Sequence, residues 1–222
     1  GAALGVDPST IYYYVPSKAA LFDLVVDEVL TGVDTSRALK PRGFEERVVA
    51  ASRAYREALL RHPHVMPLVA VRPLRTPVQL RMIDSFARLF LDAEFSEVET
   101  LIALDVTGMT VLGLTNMHAA AITRPEYTEQ TSPGDDIAAD VLAPREFPHL
   151  VRLLPSAHMV DADLEFDRAV RALAAGLQAQ RTEGRLAPTR REAQAAVRRR
   201  RARAASRTAT PSADVGAEGT SP

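Results

Sequence analysis

Residues 4–18 read Leu-Gly-Val-Asp-Pro-Ser-Thr-Ile-Tyr-Tyr-Tyr-Val-Pro-Ser-Lys, and they give the strongest indication of the fold in this chain. Gly5 suits the left-handed backbone position that closes a helix. Asp7 is a favoured N-cap residue, and Pro8 occupies the first position of the next helix, where no N–H is needed. Ser17 is placed to cap a further helix. The pattern predicts a helix-turn-helix whose recognition helix begins at Pro8.

The same residues carry a resemblance to a known family. The spacing Leu-Gly-Val-x-x-x-Thr-Ile-Tyr-x-x-Val-x-Ser-Lys-x-x-Leu, from Leu4 to Leu21, resembles the signature of the TetR family of one-component transcriptional regulators. The resemblance implies an all-α protein, in which a helix-turn-helix domain precedes a helical effector-binding and dimerisation domain. Weaker signals of the same kind follow at Arg72-Pro73, at Phe95-Ser96-x-x-Glu99 and at Gly108-x-x-x-x-Gly113.

This resemblance implies a set of DNA-binding residues, which are Ser9, Thr10, Tyr12, Tyr13, Tyr14 and Lys18. Ser9, Tyr13 and Tyr14 are expected to face base edges in the major groove. Thr10, Tyr12 and Lys18 are expected to contact phosphates. The alternative is an ordinary helical hairpin with a tyrosine-rich surface.

The first residues of the chain indicate how complete this helix-turn-helix domain is. Family members have further helices before this point, and residues 1–4 resemble only the last turn of such a helix. We therefore expect an N-terminally truncated, incomplete helix-turn-helix in which Ile11 and Val15 lose part of their apolar cover.

Apolar residues recur at helical spacing along the rest of the chain, and no alternating strand pattern is found. The predicted fold class is all-α, with about eight helices. Three regions are predicted: a partial helix-turn-helix domain at 1–38, an effector-binding and dimerisation domain at 43–183, and a disordered basic tail at 184–222.

The tail differs from the body in composition and charge. Residues 185–222 hold nine arginines and three acidic residues, a net charge of +6, which leaves −7 for residues 1–184 of a total of −1. With so few large apolar side chains the tail cannot offset its ordering entropy, so we expect disorder, with at most a transient helix at 189–205. Two interpretations stay open: a solvated extension without function, or non-specific attraction to DNA.

Composition also indicates the cellular compartment of the protein. The 222 residues are 46% hydrophobic and include no cysteine, so disulfides and thiolate metal sites are excluded. No secretory segment is visible, and the apolar runs are shorter than a membrane span. These features predict a cytoplasmic, soluble protein with no membrane partner.

The resemblance implies a homodimer, in which two long helices pair with those of a second copy as a four-helix bundle. Here these helices are expected at about 96–122 and 161–181. Small side chains along them would allow close approach between helices, and they are Gly108, Gly113, Ala169 and Gly176. The alternative is that both apolar stripes face the core of their own domain.

The resemblance also implies effector-binding residues, which are His64, Leu68, Val71, Arg72, Phe86, Thr107, Met109 and Asn116. The two histidines through which the tetracycline repressor holds a magnesium–drug chelate align with Leu68 and Met109, and a later glutamate aligns with Asn116. Leucine and methionine offer neither the oxygen nor the imidazole that such a cation needs. We expect no metal, no cofactor and no tetracycline, but a small apolar effector in an apolar pocket.

The sequence therefore favours a ligand-responsive transcriptional regulator, a repressor that binds operator DNA as a homodimer. A helical ligand-binding or dimerisation module that no longer binds DNA is the second interpretation. An enzyme is the third, and it is disfavoured because no catalytic residues, phosphate loop or nucleophile motif are found.

Overall fold

The structure is a computed structural model that describes residues 5, 7–38, 40, 43–71, 75–123 and 145–208. The described residues form ten α-helices and two short 3-10 helices, at Pro63–Val65 and Leu154–Met159, and contain no strand. The α-helices are α1 (Pro8–Ile11), α2 (Lys18–Thr31), α3 (Thr35–Ala38), α4 (Phe44–Leu60), α5 (Met66–Val71), α6 (Pro77–Leu91), α7 (Glu97–Thr123), α8 (Pro148–Leu153), α9 (Ala162–Thr182) and α10 (Arg190–Thr208). The prediction of an all-α fold is confirmed.

The N-terminal segment follows its local sequence signals. Gly5 has a φ of 63°, in the left-handed region that glycine tolerates best. The Asp7 side chain accepts a hydrogen bond from the backbone N–H of Ser9, and Pro8 is the first helical residue. The Ser17 hydroxyl accepts from the backbone N–H of Ala20 at 3.1 Å and so caps α2. Val15, between the two helices, is buried.

Polar contacts join α2 to the start of α6. The Asp27 carboxylate accepts hydrogen bonds from the Thr76 hydroxyl at 2.6 Å and from the Gln79 side-chain amide at 2.7 Å. Thr76 and Gln79 also form the capping box that starts α6, as their spacing predicts. Because Gln79 is only 2% exposed, its amide depends on these protein partners rather than on water.

Helix α4 lies at the centre of the helical body and packs against α2, α3, α6, α7 and α9. Its N-terminal residue, Phe44, stacks on Phe95 at a centroid distance of 5.2 Å and meets Phe90 edge-on at 5.8 Å. Phe90 ends the buried face of α6, and Phe95 precedes α7. This aromatic cluster holds the start of α4 against the turn between α6 and α7.

Helix α9 covers α4 with an apolar stripe and a row of ion pairs. The fully buried stripe includes Phe166, Val170 and Ala174. The Arg53 guanidinium bonds to Asp167 at the edge of this contact, and this hydrogen bond lowers the pKa of that carboxyl. The polar rim therefore fixes how α9 lies on α4, and the apolar stripe contributes most of the stability.

Helix α7 is apolar on both faces. Its inner face buries Ala103, Val111, Thr115 and Ala119, whereas Met117, 70% exposed, lies on the outer face. The sequence predicts apolar runs shorter than a membrane span, but Glu97–Ala120 of α7 is long enough by length and composition alone, with a mean hydropathy of 1.4. This helix packs against α4, α6 and α9.

The predicted disordered tail needs correction for residues 190–208, which form α10. Composition correctly indicates that the described side chains of this helix bury little surface. Local chemistry is what stabilises the helix: Thr189 and Glu192 form a capping box, and alanine and arginine have high helix propensity. Residues 209–222, the Arg72-Pro73 pair and residues 1–4 lie outside the described residues.

Replacing Asp27 tests the contact between α2 and α6. Asp27→Ala should lower the free energy of unfolding by about 1–3 kcal/mol, because the buried Gln79 amide loses its acceptor. Glu28→Ala, at the exposed neighbouring position, should change it by less than about 0.5 kcal/mol. Urea unfolding followed by circular dichroism measures both, and equal effects would contradict this assignment.

Candidate functional site

A cavity of about 440 Å³ lies between α4, α6 and α7. Most of its walls are apolar, and the residues that line it are Val48, Ala51, Ser52, Tyr55, Met82, Ile83, Phe86, Leu89, Phe90, Leu101, Leu104, Asp105, Thr107, Gly108, Met109, Val111 and Leu112. A cavity of this size and composition suits a small apolar molecule whose orientation is fixed by a few polar groups.

Two aromatic rings form one wall of the cavity. The rings of Tyr55 on α4 and Phe86 on α6 lie 6.2 Å apart, tilted by 56°. Burial raises the pKa of Tyr55 to about 12, so the phenol stays protonated at neutral pH. It therefore offers a hydrogen-bond donor beside an apolar surface.

Two further hydroxyl groups in the cavity walls have no partner. Ser52 Oγ on α4 and Thr107 Oγ1 on α7 are buried and make no hydrogen bond in the described part of the chain. Two other threonines of α7 behave differently, since the Thr110 and Thr115 hydroxyls donate to the carbonyl groups of Val106 and Val111. The hydroxyl of Thr100, on the same helix but outside the cavity, is also buried without a partner among the described residues. A buried polar atom without a partner carries a cost that a bound ligand can remove.

The structure brings three of the predicted effector-binding residues together at this cavity: Phe86, Thr107 and Met109. His64 is exposed in the 3-10 helix that precedes α5, and Leu68 packs against the core without lining the cavity.

The remaining predicted effector residues lie elsewhere. Asn116 is exposed on α7, beyond the last lining residue, Leu112. The side chain of Val71, and Arg72 as a whole, are outside what the structure describes.

Sequence reasoning missed the contribution of α4 to the cavity. Ser52 and Tyr55 fall on the stripe of α4 that also holds Val48 and Leu59, and such a stripe is typical of core residues. The available signal was that both are polar within an otherwise apolar stripe. Buried polar groups of this kind need partners, and here none is found for Ser52 Oγ among the described residues.

The predicted DNA-reading segment presents its tyrosines to solvent. Tyr13 and Tyr14 are 88% and 86% exposed, and Tyr12 is 51% exposed. They follow α1 in a turn, because the helix proper ends at Ile11.

The other predicted DNA-binding residues have local partners. The Ser9 hydroxyl donates to the Asp7 carboxylate, and Thr10 is half-buried. The Lys18 ammonium lies over the Phe22 ring, 5.5 Å from its centroid.

The described residues include no group of three or more His, Asp or Glu side chains that could hold a metal ion. The polar groups of the cavity are hydroxyls and the Asp105 carboxylate. This arrangement can orient a small molecule through hydrogen bonds.

Residues 38–181 match the family model described as the tetracyclin repressor-like C-terminal domain. This range covers the cavity and all the helices that line it. A comparison with curated proteins finds no significant match.

Solved structures of similar fold come from Streptomyces coelicolor. A possible TetR family transcriptional regulator from strain A3(2) is 26% identical, with a TM-score of 0.66 over 80% of this chain and 86% of that chain. Apo ActR is 21% identical, with a TM-score of 0.64 over 82% and 83% of the two chains. ActR in complex with actinorhodin is also 21% identical, with a TM-score of 0.62 over 80% and 84%.

Filling the cavity tests whether it is a binding site. A Cβ atom at Gly108 would meet no atom within 4 Å, so Gly108→Leu should place its side chain in the open space. Binding of the apolar dye Nile red should weaken at least about tenfold, because added side-chain volume excludes the dye. Stability should not fall, since leucine exceeds glycine in helix propensity by roughly 0.8 kcal/mol.

The matched control is Ala179→Leu, at an exposed position of α9 outside the cavity. Dye fluorescence titrations compare the two variants with the unaltered protein. Undiminished dye binding by Gly108→Leu would show that the dye binds elsewhere.

Proposed function

The chain belongs to the tetracycline-repressor-like transcriptional regulators, and on that premise we propose that it is a ligand-responsive repressor that binds operator DNA as a homodimer. The observation that carries the proposal is the apolar cavity with unpartnered hydroxyl groups in the family's effector domain. A small, mainly apolar effector occupies this cavity, and the protein works in the cytoplasm. ActR, which has this fold, forms a complex with actinorhodin.

Exposure and capping at the N-terminal segment support DNA binding. Tyr13 and Tyr14 are almost fully exposed after the capped helix α1, where side chains can reach base edges. Lys18 begins α2 and supplies a positive charge next to them. Tyr12, Thr10 and Lys18 contact phosphates in this proposal, and Ser9, Tyr13 and Tyr14 face bases.

An exposed apolar surface supports the homodimer. The second half of the outer face of α7 leaves Gly113 and Met117 exposed, and the adjacent face of α9 exposes Leu164 and Ala172. Small residues beside apolar ones allow two helix pairs to approach closely. A second copy of the chain is the partner that we assign to this surface.

The junction between α2 and α6 supports communication between ligand and DNA. Asp27 on α2 bonds to Thr76 and Gln79 at the start of α6, and the same helix lines the cavity through Met82 and Phe86. A ligand that shifts α6 therefore acts directly on the helix that follows the recognition segment.

The salt dependence of DNA binding tests the role of Lys18. Lys18→Ala should weaken binding evenly across sequences and reduce the slope of log affinity against log salt by about one per bound subunit. Tyr13→Ala should instead reduce discrimination at one base pair, by about 1–3 kcal/mol. Lys40→Ala, at the other exposed lysine, is the control. Fluorescence anisotropy measures all three, and an identical salt slope for Lys18→Ala and Lys40→Ala would refute the phosphate contact.

A charge at Met117 tests the proposed dimer surface. Met117→Glu should shift the protein to monomer, because the substitution buries a carboxylate in an apolar contact. Leu80→Glu, at an exposed position of α6 outside this surface, should leave the dimer intact. Sedimentation velocity separates the two species, and a dimeric Met117→Glu variant would exclude this surface.

A further inference from the structure

Asp105 is the only charged side chain that lines the cavity in the described part of the chain. It is exposed on α7, between the lining residues Leu104 and Thr107, and no ion pair to it is found among the described residues. Among the described residues, no lysine, arginine or histidine lines the cavity to offset this negative charge. A charged ligand in this apolar space would therefore lie near one carboxylate that no described cationic side chain neutralises.

This arrangement discriminates between ligands by charge. A carboxylate in the cavity would find no cation and would be repelled by Asp105, since unit charges interact strongly near low-dielectric walls. A protonated amine whose apolar body fills the cavity would place its charge near Asp105. The neutral hydroxyls of Ser52 and Thr107 lie in the walls contributed by α4 and α7 and can pair with a polar atom of the ligand.

We infer that the cavity selects apolar molecules that carry a basic nitrogen, with Asp105 as the residue that determines specificity. Thr107 and Ser52 bind a second polar atom of the same ligand. This inference rests on the proposed function, because it names the chemical class of effector for the same cavity. It excludes fatty acids and other apolar carboxylates as effectors.

Three ten-carbon probes that differ only in their head group test the inference. Decylamine, decanol and decanoate compete with Nile red for the unaltered protein at pH 7.5. Decylamine should bind at least about tenfold more tightly than decanoate, with decanol between them, as expected for one charge contact near the protein surface. Asp105→Asn should remove most of this ratio, whereas Asp84→Asn, an exposed carboxylate of α6 outside the cavity, should preserve it.

Equal affinity for decylamine and decanoate would overturn the inference, and so would an amine preference that survives in Asp105→Asn. DNA binding without ligand is measured separately by anisotropy. If DNA binds but charge selectivity is absent, only this inference fails. If selectivity is present but DNA does not bind, only the proposed function fails.

Two threonine variants of α7 test whether the Thr107 hydroxyl contacts the ligand. Thr107→Val removes the unpartnered hydroxyl and should weaken decanol binding about five- to tenfold, the usual effect of one lost hydrogen bond. Thr110→Val removes a hydroxyl that already donates to the Val106 carbonyl at 2.8 Å, so decanol binding should not change. Equal effects of the two variants would exclude Thr107 as a ligand contact.

A second, independent inference concerns the exposed arginines of helix α10. Six arginines lie between residues 190 and 201, all exposed: Arg190, Arg191, Arg198, Arg199, Arg200 and Arg201. Glu192 is the one acidic residue in this range, and its carboxylate is bonded to Thr189. None of the six arginines has an ion-pair partner among the described residues, so residues 190–201 present a net charge of +5 to solvent.

The place of α10 in the fold separates it from the recognition segment. At its start, α6 contacts Asp27 of α2. At its other end, the turn after α6 contacts the end of α9, where Arg181 donates to the Glu94 carbonyl at 3.1 Å. Helix α6 spans about 22 Å between these points at roughly 1.5 Å per residue. Helix α10 therefore starts from the end of the helical body that is opposite to the α2 contact.

We propose that α10 binds the phosphate backbone of duplex DNA without sequence preference. A helix with unpaired arginines around it releases condensed counterions when it meets phosphates, and this does not require a groove-reading geometry. Because it starts at the end of the helical body opposite to the α2 contact, we assign it to the encounter with DNA rather than to reading the operator.

A quadruple variant tests this proposal. Replacing Arg198, Arg199, Arg200 and Arg201 with glutamine should weaken binding to an unrelated duplex at low salt and reduce the salt slope by about three to four. The same four positions changed to lysine keep the charge and should retain the slope. Unchanged binding by the glutamine variant, with the helix intact by circular dichroism, would overturn the proposal. Binding of the unaltered protein to anionic phosphatidylserine vesicles but not to DNA would also overturn it.

Discussion

The packing of α4 between α6, α7 and α9 is the constraint on which the rest of the structure depends. One face of α4 is buried from Phe44 to Leu59, and the aromatic contacts of Phe44 with Phe90 and Phe95 fix its start against the turn between α6 and α7. These contacts hold the three helices together at one end while leaving the space between them open further along. The cavity is therefore a consequence of how α4 is anchored, and its polar groups come from the same packed faces.

The same packing connects the cavity to the N-terminal segment. Helix α6 contributes five of the lining residues, and its first turn supplies Thr76 and Gln79 to Asp27 of α2. Since Gln79 is almost fully buried, a displacement of α6 must either carry α2 with it or leave a buried amide without its acceptor. In the function that we propose, this contact passes a displacement of α6 at the cavity to α2, which begins at Lys18.

The elements that sequence predicted well are those set by local chemistry. Asp7 and Ser17 cap helices where their positions indicated, because capping depends on a few neighbouring backbone groups. The cavity was predicted only in part, with Phe86, Thr107 and Met109 among its lining residues. The packing of α4 against α6 and α7 joins residues that are far apart in the sequence, and local sequence patterns do not predict such contacts. Helix α10 was predicted only as a transient helix, because composition reports how much surface a segment can bury, whereas local helix propensity does not depend on burial. The DNA-binding residues rest on family resemblance and stay a prediction.

The central claim, that this chain is a DNA-binding regulator, is tested most directly by its affinity for two duplexes of equal length and composition. One duplex comes from the intergenic region upstream of its own gene, and the other has the same bases in scrambled order. The first duplex should bind at least about a thousandfold more tightly than the second at physiological salt, as specific operators do. Equal affinity for the two duplexes would contradict the central claim.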